Sequence, residues 1–143
     1  MIGVDLAREL KRAGLAWQPS EHDCFAIPDS HLDGQVFVVS QQMTTVEMLK
    51  GRPALTFHGS SEWAIDYLFT TDAVWLPSET QLRQAIERLG GQGAELVLEY
   101  AGGAYRCSVR YDATVWETSA TTAEEAYAAA VLAILRSRDQ REH

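Results

Sequence analysis

Residues 57–91 read FHGSSEWAIDYLFTTDAVWLPSETQLRQAIERLGG. An apolar run ends at His58. Gly59 with Ser60 and Ser61 then marks a strand-to-helix turn, where either serine can cap the helix. The residues that follow predict a short helix over 61–69. Ala73 to Leu76 has the length and apolar character of a strand, and Pro77 stops it. Ser78 opens a second helix over 79–89: Ser78 and Gln81 have capping-box spacing, and Gly90-Gly91 closes the element. Leu82, Ala85, Ile86 and Leu89 make its apolar stripe.

The flanking chain follows the same logic. Thr44–Leu49 and Ala54–His58 read as a hairpin around Lys50-Gly51-Arg52, with Pro53 tolerated at a strand start or on an edge. Val36–Val39 is a continuous β-branched and aromatic run, predicting a central strand buried on both faces. Cys24–Ile27 predicts a short strand. Residues 4–13 predict an amphipathic helix, with Gly14 at the left-handed cap and Leu15 folding back on it.

Beyond Gly93 the pattern changes to strands over 95–100, 105–111 and 114–119. Ala101-Gly102-Gly103 and Asp112-Ala113 join them as hairpin links. Thr122 with Glu125 caps a last helix to about Arg136, with a stripe of Tyr127, Val131, Ile134 and Leu135 backed by alanines. Residues from Asp139 onward are expected to fray. The fold class is α+β. A small mixed helix and strand unit precedes an antiparallel three-strand meander, and a C-terminal helix packs on that sheet. Residues 1–143 are expected to form one domain, with sub-units 1–90 and 93–143 meeting at Gly90–Gly93.

Composition narrows the function. Of 143 residues, 46% are hydrophobic and 22% charged, enough to build a core and unlike a disordered chain. The formal net charge of −8 repels phosphate backbones and anionic bilayers, so neither nucleic acid nor membrane is an expected partner. No apolar run approaches the ~20 residues that span a bilayer. The first residues lack the charge pattern of a signal peptide, and the expected compartment is the cytoplasm. Cys24 and Cys107 have no CxxC neighbour and read as reduced structural thiols.

Motifs that would fix a reaction are missing from the sequence. Neither Lys11 nor Lys50 lies in a Walker A pattern, and no GxGxxG, HExxH or EF-hand loop is present. Catalytic residues, cofactor and metal are therefore all assigned as none. Four weaker constellations remain. Glu21, His22, Asp23 and Cys24 with Asp29, His31 and Asp33 place carboxylate, imidazole and thiol groups in one loop, at a spacing that matches no closed zinc site and suits a polar surface loop. His58, Gly59, Ser60 and Ser61 sit at a helix start that could cap itself or bind an anion; a nucleophile elbow would require Gly where the chain has Trp63. Trp63, Tyr67 and Trp75 form an aromatic set suited to core packing or to anchoring a protein partner. Arg136, Arg138 and Arg141 form a basic tip on an acidic chain.

Several of these stretches resemble one family. FVVS at 37–40, TVE at 45–47, FHGSSEWAIDYL at 57–68 and VWLPSETQLRQAI at 74–86 are similar to a family of short bacterial proteins, many of them called pilus assembly proteins. Members carry FVVSDM, a TxEV strand, FNGTTEWALDSV and VWLPREDQLR, and a C-terminal helix like AEEAYAAAVLAIL at 123–135. His58 stands where the family often has Asn, and Ser78 where it often has Arg. The resemblance covers a third to a half of the chain. It implies a small stand-alone protein near pilus or secretion functions, and it brings no catalytic residue.

Two readings follow. The first is a non-enzymatic interaction or adaptor protein that uses the apolar 61–69 segment. The second is a small-molecule or anion binder, or minor enzyme, built on the turn at 58–61 and the loop at 21–33. A homo-oligomer is a further expectation, since an exposed edge over Thr114–Ser119 would invite pairing.

Overall fold

The computed structural model describes residues 1–30, 32–40, 44–57 and 67–142. The architecture is α+β, with three helices and nine strands in three antiparallel sheets among these residues. The chain divides into two units, one of Ala16–Leu76 and one of Met1–Leu15 with Pro77–His143. The expected joint at Gly90–Gly93 is thus not where the chain divides. The first helix belongs with the C-terminal elements, a long-range association that no local pattern announces.

The unit of Ala16–Leu76 holds β1 (Cys24–Ala26), β2 (Val36–Val38), β3 (Thr44–Leu49), β4 (Arg52–Phe57), β5 (Tyr67–Phe69) and β6 (Val74–Leu76). They form two sheets, ordered β2-β1-β6 and β3-β4-β5. Among the described residues the central strand of the first sheet is β1, and β2 lies on an edge with Val36 and Val38 exposed. This corrects the expectation for Val36–Val39. A β-branched run suits either position, and the partner that makes β1 central is β6, far along the chain. Across the register Phe25 faces Phe37 on one side and Trp75 on the other. Phe25 is fully buried, with the Trp17 and Phe37 rings each 5.6 Å away by centroid. It joins Ile27, Val39, Leu55, Leu68 and Ala73 in one core to which both sheets contribute.

The β3–β4 hairpin forms as expected. Lys50 and Gly51 make a two-residue turn with φ of +53° and +77°, the sign that matches the twist of a hairpin. Pro53 lies near the start of β4, opposite Met48 and before the residues that pair with β5, so its missing N–H costs no ladder bond on that side. On β4, Leu55 is fully buried between Val46 and Leu68 of the neighbouring strands.

The helix expected over 61–69 is corrected at its end: Tyr67–Phe69 is the strand β5, paired antiparallel with Ala54–Thr56. An apolar stretch without clear period serves either element, and here a free side of β4 decides. The remainder of that expected helix, Ser61 to Asp66, lies outside the described residues.

The second unit holds α1 (Val4–Arg12), α2 (Glu79–Gly90), β7 (Glu95–Ala101), β8 (Ala104–Tyr111), β9 (Thr114–Ala120) and α3 (Ala123–Glu142). Helix α1 ends as its sequence predicts: the Leu15 amide donates to the Leu10 carbonyl at 3.0 Å and the Gly14 amide to that of Lys11 at 3.1 Å. Helix α2 carries the full capping box. The Gln81 amide donates to Ser78 Oγ at 3.2 Å and the Ser78 amide to Gln81 Oε1 at 2.9 Å.

β7, β8 and β9 form the expected meander. Gly102 and Gly103, at φ of +61° and +80°, supply the left-handed turn that a residue with a Cβ would resist. One face of the sheet turns Cys107 and Val109 inward, both fully buried. Helix α3 packs on β8 and β9, and α1 and α2 pack on α3. Thr118 Oγ1 donates to the Ala126 carbonyl at 2.8 Å and ties β9 to the helix. Ala126, Ala128 and Ala130 are fully buried and let these neighbours approach; Val131, Leu132 and Ile134 fill the space. Each of these three stabilises the unit by about 1.5–3 kcal/mol. The helix runs on to Glu142, further than expected, with Arg136 3.6 Å from Glu9 of α1.

Candidate protein-interaction face

The pleat of β5 separates its three side chains. Leu68 turns into the core and is 7% exposed, while Tyr67 and Phe69 share the opposite face. Across the strand from Phe69 stands Ala54, fully buried. Its small side chain leaves room for the phenyl ring to lie over β4. The Arg52 guanidinium caps that ring, 3.6 Å from its centre, in a cation–π contact. Tyr67 meets Phe69 edge to face and remains 40% exposed. Among the described residues β5 is paired on one side only. The result is a fixed aromatic step, half-buried at Phe69 and open at Tyr67, with the arginine beside it.

The sequence-predicted aromatic set is therefore divided. Tyr67 is on this face. Trp75 is half-buried on β6 and shares a side of its sheet with Phe25. Its indole N–H is buried with no hydrogen-bond partner among the described residues. Trp63 lies outside the described residues, as do His58, Gly59, Ser60 and Ser61 of the candidate anion site. Phe69 and Arg52 were not singled out by sequence reasoning. Their pairing depends on the β4–β5 register, which no local motif encodes.

The acidic loop resolves into separate roles. Asp23 is 4% exposed and its Oδ2 accepts from Trp17 Nε1 at 2.9 Å, from the Ser20 amide at 3.0 Å and from Ser20 Oγ at 3.3 Å. It holds the 17–23 turn together. His22 is exposed, in the left-handed backbone region, with its ring 3.8 Å from Glu21. His31 lies outside the described residues. Among those described, no group of three His, Cys, Asp or Glu side chains could hold a metal ion.

The basic tip is divided. Arg136 reaches Glu9, and Arg138 donates to the Leu89 carbonyl at the end of α2. Cys107 is fully buried; desolvation pushes its thiol up to about 11, while the Thr118 hydroxyl works the other way. Among the described residues no helix is long and apolar enough to cross a membrane. No family model, curated protein or solved structure matches this chain.

Proposed function

We propose that this chain is a non-enzymatic protein-binding or adaptor protein that docks a polypeptide partner on the face of β4 and β5. The observation that carries the reading is Tyr67, exposed and held edge-on against Phe69 under the Arg52 guanidinium. A tyrosine already held by its neighbours loses little side-chain entropy on contact and offers both an apolar ring and a hydroxyl, as interface anchors do. The net charge of −8 favours a partner with a basic recognition surface and speeds its approach. On this reading the protein works in the cytoplasm. The resemblance of residues 36–89 to the pilus-assembly-named family supports a partner among pilus or secretion components. Partner capture by the wild-type chain and by Tyr67→Thr tests the proposal; threonine keeps strand propensity while removing the ring.

A further inference from the structure

We propose that the hollow between the end of α2, the helix-facing side of β8 and β9, and the last turns of α3 binds a small monocarboxylic acid with a short aliphatic or single-ring body. Leu89, Val109, Ile134 and Trp116 give it apolar walls, and Arg138 and Arg141 stand among the lining residues from the end of α3. Its volume is about 100 Å³. An apolar cavity of roughly 150 Å³ accepts benzene, so this hollow takes a chain of a few carbons or most of one ring.

The two arginines are one helical turn apart and share a side of α3. Arg138 is held by the Leu89 carbonyl, at the negative end of α2. Arg141 is exposed and has no acidic partner among the described residues. An exposed guanidinium beside an apolar hollow, on a chain of net charge −8, recognises a carboxylate through paired N–H donors while the body of the acid is desolvated on Trp116. Arg138, whose charge the neutral Leu89 carbonyl does not cancel, adds to the pull on the carboxylate, and the small volume admits one short acid. The site is independent of the β4–β5 face.

The test is a heteronuclear NMR titration of the full chain with sodium benzoate and sodium butyrate, following the Trp116 indole N–H. The expected result is a saturable shift at Trp116 and along the end of α3, with Kd on the order of 1 mM, the scale open to so small a ligand. Benzamide binds at least about tenfold more weakly, as does benzoate to Arg141→Gln, because each removes the charge-assisted pair. Arg106→Gln, on the opposite face of the sheet, leaves the Kd unchanged. No saturable shift with either acid overturns the proposal. So does equal binding of benzamide, or benzoate binding indifferent to Arg141→Gln.

Discussion

Tyr67 and Phe69 stand edge to face on one side of β5, their ring centroids 5.3 Å apart and their planes at 76°. The two rings have different tasks. Phe69 is clamped between Ala54 and Arg52, whereas Tyr67 presents its free side outward.

That division predicts unequal costs. An aromatic pair is worth about 0.5–1.5 kcal/mol beyond its burial, so Tyr67→Thr lowers unfolding stability by about 1 kcal/mol. Phe69→Ala also loses the cation–π contact and the cover over Ala54, and costs about 2–3 kcal/mol. Urea unfolding of the two variants measures the difference, and equal costs would contradict the division.

Asp23 predicts a second ranking. Its Oδ2 satisfies three donors from Trp17 and Ser20 in a buried turn. Asp23→Ala strands them and costs about 2–4 kcal/mol, while Asp23→Asn keeps an acceptor oxygen and costs about half as much. Thermal unfolding of both variants checks the order, and the Trp17 indole N–H resonance shifts in each.

Cys107 predicts a pH dependence. Burial raises its pKa from 9.0 to about 11. A pKa raised by folding gives stability that is fully present below pH 9.0 and is lost as pH rises through about 11. Burial raises the Tyr127 hydroxyl in the same direction. Stability therefore falls with alkaline pH, and Cys107→Ala makes the fall shallower while Tyr127 keeps part of it. At pH 8 the native Cys107 thiolate is about a hundredfold scarcer than that of an unperturbed thiol, so it reacts with thiol reagents at least that much more slowly.

Gly90 sets two effects against each other. Alanine is the better helix former by about 1 kcal/mol. A Cβ at Gly90, however, would lie 2.5 Å from the Ala94 Cβ, and neither methyl can rotate away. Overpacking of that kind costs about 1–3 kcal/mol, so Gly90→Ala is destabilising in net. A rise in unfolding midpoint would contradict this.

Elements that carry their own punctuation were legible in the sequence. The β7–β8–β9 meander was readable because Gly102-Gly103 and Asp112-Ala113 are turn chemistry at the spacing a hairpin needs. The Ser78–Gln81 box and the Gly14 cap were readable for the same reason. What escaped was whatever depends on distant partners. Cys24–Ala26 is central only because Val74–Leu76 pairs with it, and Tyr67–Phe69 is a strand because β4 offers it a ladder. Helix α3 was expected to show one stripe against a sheet, yet Ala126, Ala128, Ala130 and Leu132 beside that stripe are buried too, since α1 and α2 pack on it as well. Of the candidate interaction residues, Tyr67 was named from the sequence but placed on a helix. Its supports Phe69, Ala54 and Arg52 come together only through register. Arg136, Arg138 and Arg141 looked like one cluster because they are close in sequence, but the helix turns Arg136 towards Glu9 and leaves Arg138 and Arg141 together at one hollow.

The most direct measurement of the central claim is partner capture from the native host at low salt, with the immobilised wild-type chain beside Tyr67→Thr shown to be folded by its unfolding midpoint. The account predicts a stoichiometric protein partner that binds the wild-type chain and is lost, or weakened at least about tenfold, with the variant, as removal of an interface anchor does. A partner retained equally by both chains, or none retained by the wild-type chain, would contradict it.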